Sequence, residues 1–172
     1  MPLSTTNPPV EITIPAWTIA SPQVGATGAP TQWYYHCSRV FAAGSCTTSG
    51  VNVVAGSAGA ATVRVFLLDE GGTILASSAA AGALLGGANT VTAVPFSSAY
   101  QISGPKVLFI AVQANAATAN GLALVTQTSP LPGFVGNTSA DVSASSLATP
   151  TSGTITPPTA YVTAKAPVVS LY

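Results

Sequence analysis

Residues 62–78 read TVRVFLLDEGGTILASS, and residues 101–115 read QISGPKVLFIAVQAN. In an extended chain successive side chains point to opposite faces. Val63, Val65 and Leu67 therefore share one face, and Arg64, Phe66 and Leu68 share the other. Asp69-Glu70-Gly71-Gly72 is a turn signal that returns the chain into Thr73-Ile74-Leu75-Ala76, so this stretch predicts a hairpin. The run Lys106-Val107-Leu108-Phe109-Ile110-Ala111-Val112-Gln113 follows a Gly104-Pro105 turn and is nearly all apolar, the pattern of a strand covered on both faces. Together these segments predict an all-β chain: a single antiparallel β-sandwich, jelly-roll or Ig-like, with extended N- and C-terminal arms.

Outward from this centre, Val10-Glu11-Ile12-Thr13-Ile14 alternates as a first strand, and Gln32 begins an aromatic strand that runs to Phe41. Trp33, Tyr35, Cys37 and Arg39 fall on one of its faces; Tyr34, His36, Ser38 and Val40 fall on the other. Residues 44–59 read as a loop holding a short Val51-Asn52-Val53-Val54 strand. The small-residue run 77–89 reads as a strand-to-strand loop, because Gly82, Gly86 and Gly87 interrupt it without an amphipathic period. Thr90-Val91-Thr92-Ala93-Val94 alternates and is expected to stop at Pro95, and residues 121–126 offer a further strand. The division is an N-terminal arm over 1–9, a sandwich core over 10–127, and a Pro- and Thr-rich segment over 128–172. That last segment is expected to complete the sandwich, with strands at 160–163 and 168–172, and to contact other subunits.

Only 5% of the 172 residues are charged, against about 25% in an ordinary soluble domain. A surface so poorly defended by charge is expected to be covered by partners, copies of the chain among them. Arg39, Arg64, Lys106 and Lys165 are too few and too scattered to follow a phosphate backbone, so nucleic acid is not an expected partner. No window approaches the apolar length of a membrane-spanning helix, and residues 1–9 carry no secretory signal pattern, so folding in a cytosol is expected. In that compartment Cys37 and Cys46 are expected as two buried thiols, although nine positions of chain leave a bridge geometrically open.

Candidate chemistry is thin. His36 is the only histidine and sits in mid-strand, with no nucleophile elbow elsewhere to complete a triad. Asp69 and Glu70 are adjacent on one turn, whereas a glycosidase sets two carboxylates across its substrate. Four acids in the whole chain cannot fill a calcium shell, and His36 with two cysteines leaves a zinc site one ligand short. No catalytic residue, metal or cofactor is expected. The residues singled out are Trp33, Tyr34 and Tyr35, whose rings are a possible aromatic contact surface for a sugar, with at least two of the three in the core as the alternative.

The series Val65-Phe66-Leu67-Leu68-Asp69, Gly72, Leu75-Ala76-Ser77-Ser78, Pro95-Phe96, then Gly104-Pro105-Lys106 through Asn115 resembles the β-sandwich virion structural proteins of tailed phages, in particular head decoration or cement proteins. The resemblance spans roughly a third of the chain and is one of strands and turns. It implies a non-enzymatic, homo-oligomeric subunit on the head surface of a virion, made in the host cytoplasm. Such a subunit binds the major capsid protein and stabilises the shell. The alternative is a glycan-binding, host-recognition module of a tail fibre or spike.

Overall fold

The computed structural model describes residues 34–56, 61–115, 124–126, 136–142, 152–155, 165–167 and 169–172. The expected strand at 10–14, the arm over 1–9, Trp33 and the expected strand at 160–163 lie outside them. Among the described residues eleven strands follow in order: β1 (Tyr34–Ala42), β2 (Cys46–Val54), β3 (Thr62–Leu68), β4 (Ile74–Ser77), β5 (Ala83–Leu84), β6 (Val91–Ile102), β7 (Lys106–Ala114), β8 (Leu124–Thr126), β9 (Gly136–Val142), β10 (Lys165–Pro167) and β11 (Val169–Leu171). All pairings among them are antiparallel. One sheet has the order β4-β3-β7-β1-β9, with β5 also paired to β3; a second has the order β11-β2-β6; β10 pairs with β8.

Parity in the sequence becomes packing. Val63, Val65 and Leu67 join Leu108, Ile110 and Val112 of β7 and meet Val51, Val53, Val94 and Leu171 of the second sheet in one core between the two layers. Phe66 and Leu68 turn the other way, into a second cluster with Tyr35, Cys37, Phe109, Ala111, Ile74 and Ile155. Residues 63–68 and 108–114 are consequently buried on both faces. Each large aliphatic or aromatic side chain buried this way contributes roughly 1.5–3 kcal/mol, so the two central strands anchor the fold. Ile155 reaches its cluster because Ile74 N–H donates to the Gly153 carbonyl (2.9 Å) and Ile155 N–H donates to the Gly72 carbonyl (2.9 Å).

The predicted hairpin joins β3 to β4. Asp69 N–H donates to the Thr73 carbonyl (3.0 Å), Gly72 N–H to the Asp69 carbonyl (3.0 Å), and Thr73 N–H to Asp69 Oδ1 (2.8 Å). Gly72 has a φ of 87°, a conformation glycine adopts without a Cβ penalty. Burial pushes the Asp69 carboxyl up, but hydrogen bonds from Thr73 and Gly71 and the nearby Lys106 charge outweigh it and hold the group below the usual carboxylate range. The folded value lies below the unfolded one, so the stabilisation is present above about pH 4 and is lost as pH falls through the folded value. Because the turn is solvated, it is worth less than about 1 kcal/mol. In thermal melts, the gap between the parent and Asp69→Asn is expected to narrow from pH 6 to pH 3; a pH-independent gap would assign the effect to shape rather than charge.

Three elements depart from the sequence expectations. The strand placed at 51–54 begins at Cys46, because Thr47 and Ser49 are exposed while Cys46, Thr48, Val51 and Val53 are buried, an alternation that the polar residues and Gly50 disguise. β6 does not stop at Pro95. It continues to Ile102, since among the described residues β6 lies at the edge of its sheet, where a missing N–H is tolerated. The register there shifts from Gly50↔Pro95 to Thr48↔Tyr100, leaving residues 96–99 opposite Ser49 alone, with Phe96 turned into the core. β9 carries no apolar pattern at all, yet pairs with β1 at Tyr35↔Ser139 and Cys37↔Asn137. Of the 77–89 run, Ser77 ends β4 and Ser78 bridges Phe96, and the rest is the expected loop apart from the two-residue β5.

Cys37 and Cys46 are both buried thiols. Cys46 faces the core between the layers and Cys37 faces the second cluster, which puts the β1 sheet between them.

Candidate interaction surface

The second sheet turns one face to the core and the other outward. Inward go Val51, Val53, Val94, Phe96, Ile102 and Leu171. Strand register then fixes the rows of the outer face: Tyr172 with Gly50 and Pro95, Ser170 with Asn52 and Ala93, Val54 with Val91, and Thr47 with Gln101. No residue of β2, β6 or β11 is charged. Polar groups on this face pair with one another: Asn52 Nδ2 donates to Ser170 Oγ at 3.3 Å, and Thr47 Oγ1 donates to Gln101 Oε1 at 3.2 Å.

Tyr172 is the large aromatic of this face, 42% exposed. Its carbonyl accepts from Ser49 N–H (2.7 Å) and Thr48 Oγ1 (2.9 Å), and its N–H donates to the Gly50 carbonyl (3.2 Å). A Cβ on Gly50 would lie 2.5 Å from the Tyr172 hydroxyl, 2.7 Å from Cζ and 2.5 Å from the Val94 carbonyl oxygen. The phenol end thus rests over the glycine of the neighbouring strand, so the long axis of the side chain runs along the sheet. Glycine covered by a cross-strand aromatic is a recurrent way to fill such a gap. Since the Val94 oxygen belongs to backbone, Gly50→Ala is expected to cost about 2 kcal/mol by overpacking. Gly44→Ala, which meets nothing within 4 Å, is expected to stay within about 0.5 kcal/mol. Urea unfolding of the two variants checks the contrast.

The charged side chains described lie on the other sheet and its hairpin: Arg39 on β1, Arg64 on β3, Asp69 and Glu70 on the turn, and Lys106 on β7. Arg64 is wholly buried, its Nε and Nη2 each donating to the Ser78 carbonyl at 3.3 Å and its Cζ 4.9 Å from the centre of the Phe66 ring. Burial pulls its pKa down from the ordinary value, partly offset by its electrostatic interaction with Tyr35.

The residues expected to form an aromatic contact surface are placed as follows. Trp33 lies outside the described residues, and of Tyr34 only the backbone is described, paired with Val142. Tyr35 is 5% exposed and meets Phe66 edge to face, with centroids 5.5 Å apart at 83°. Its ring is core and offers no platform to solvent. His36 is 2% exposed, between Val112 of β7 and Thr138 of β9, and so does not meet a substrate at the surface. Among the described residues no three His, Cys, Asp or Glu side chains group as metal ligands, and no helix is long and apolar enough to cross a membrane.

Comparison with protein-family models, with curated proteins and with solved structures finds no match to this chain.

Proposed function

We propose that the chain is a non-catalytic structural subunit of a virus particle, a decoration or cement protein that binds in many copies to the major capsid protein and to its own copies on a phage head. The observation that carries this reading is the uncharged stretch 71–105, which exposes apolar side chains where a solitary soluble domain sets charges. Leu84 is 66% exposed and Val91 65%, at the two ends of the loop that joins β5 to β6. Ala79, Ala80, Ala81, Gly86, Gly87 and Ala88 of the same uncharged stretch are exposed as well. Apolar surface of this kind gains by burial against a second uncharged surface, and without charges it does so with little desolvation cost. A subunit that binds only the assembled shell stabilises that state by linkage alone, with no catalytic step.

The test is the copy number of the chain in purified virions, by quantitative mass spectrometry against the major capsid protein. Hundreds of copies in simple ratio to the capsid protein are expected; a few copies, or absence from particles, overturn the reading. Leu84→Asp is expected to weaken binding to preformed shells at least tenfold without lowering the melting temperature, because Leu84 contributes little to the core. Unchanged binding would move the contact to another surface.

A further inference from the structure

We propose that the outer face of β11-β2-β6 is a binding site for a neutral oligosaccharide, with the Tyr172 ring as its stacking platform and Asn52 and Ser170 as its hydrogen-bonding row. Tyr172 lies along the sheet because its phenol end occupies the space a Cβ would take on Gly50. A tyrosine held in this way lies across Gly50 with its hydroxyl end against the sheet, and it is still 42% exposed. The apolar C–H face of a pyranose stacks on such a ring, whose hydroxyl end rests over Gly50.

Two residues further along the strands comes the Asn52–Ser170 row, about 7 Å from the Tyr172–Gly50 row at the ordinary rise per residue. That is the scale of one hexose unit, so a sugar stacked on Tyr172 brings its hydroxyls, or those of the next unit, over Asn52. The contact from Asn52 Nδ2 to Ser170 Oγ uses one of the two amide hydrogens and orients the side chain. An amide and a hydroxyl fixed side by side donate and accept at once, which matches vicinal sugar hydroxyls. Pro95 continues the ring row and Ala93 the polar row, so no bulky side chain of β6 interrupts the face.

Charge and size choose the ligand class. Without a charged side chain in β2, β6 or β11, an anionic saccharide finds no cationic partner among these strands, so the ligand class is a neutral saccharide. Three strands with a longest pairing over β2 give a face of ~30 Å by ~15 Å. That is roughly half the ~800 Å² per partner of a standard protein interface, but enough for three or four hexose units. The Tyr172 and Asn52–Ser170 rows do not include Leu84, although Val91 ends its loop and borders the same outer face opposite Val54; the site belongs to the isolated chain whether or not that chain sits on a shell.

Isothermal titration calorimetry of the full chain against cellotetraose, maltotetraose and chitotetraose tests the proposal. At least one of the three is expected to bind, with a Kd between roughly 10 µM and 1 mM. Tyr172→Phe is expected to keep that affinity within about threefold, since stacking uses the ring, whereas Tyr172→Ala weakens it at least tenfold. Asn52→Ala is expected to weaken it about fivefold. Tyr172→Leu keeps an apolar cover over Gly50 without a ring, and so separates loss of stacking from loss of fold; thermal melts of every variant accompany the titrations. Failure of all three sugars to bind, equal binding by Tyr172→Leu, or tighter binding of a sulfated tetrasaccharide would each overturn the proposal. None of these outcomes alters the copy number in particles, which judges the shell reading alone.

Discussion

Phe66→Ala is expected to lower stability by about 4 kcal/mol, which for a chain of this length is a fall of roughly 8–16 °C in melting temperature. The ring is completely buried on the face of β3 opposite the inter-sheet core. It meets Tyr35 edge to face on one side and lies 4.9 Å from the Arg64 guanidinium carbon on another. Truncation removes its burial, leaves a cavity lined by Leu68, Ala111 and Tyr35, and forfeits an aromatic pair worth about 1 kcal/mol beyond area. The rigid strands around it, buried on both faces, cannot collapse into the gap, which is the condition for costs at the high end. Phe41→Ala serves as the contrast: Phe41 is 57% exposed on β1, and its loss is expected to cost under about 1 kcal/mol. Chemical denaturation of the two variants measures the difference; equal losses would mean that the second cluster is not a packed core.

Arg64→Ala is expected to cost about 3 kcal/mol. The Ser78 carbonyl would lose both guanidinium donors inside a buried corner, and Phe66 would lose the cation beside its ring. Ser78 is itself part of the frame, because its Oγ accepts from Val65 N–H at 3.0 Å and its N–H donates to the Val65 carbonyl at 3.0 Å. Arg64→Met keeps most of the volume without burying a charge, so its cost is expected to be less than half that of alanine. If methionine proves as damaging as alanine, hydrogen bonding rather than packing dominates at this position; if both variants melt with the parent, the buried arginine does not hold the sheet edge.

Much of this architecture was legible from residues 62–115. Val63, Val65 and Leu67 against Phe66 and Leu68 foretold the two faces of β3, and the continuous apolar run of β7 foretold a strand covered twice, because strand parity is a local property. Gly50 and Pro95 hid the second sheet. Each reads locally as a break, and each is resolved by a distant or edge relation: Gly50 by the Tyr172 ring, Pro95 by the edge position of β6. The same distance concealed the candidate surface. Residues 168–172 read as a strand, but only the register with β2 places Tyr172 beside Asn52 and Ser170. The aromatic cluster at 33–35 drew attention by composition, whereas Tyr35 is spent on packing against Phe66. β9 had no signal, since Gly-Asn-Thr-Ser-Ala-Asp-Val lacks the apolar period by which strands are recognised.

The bond between Thr48 and Tyr172 joins positions 124 residues apart. At ordinary ribosomal speeds of about 5–20 residues per second, β2 is synthesised roughly 6–25 s before the strand that borders it. For that interval an uncharged strand waits with one edge open, in a cell crowded with other nascent chains and with copies of itself on the same messenger. A holdase that recognises neutral extended segments would have its best opportunity then, and the yield of properly folded chain should rise as growth temperature is lowered.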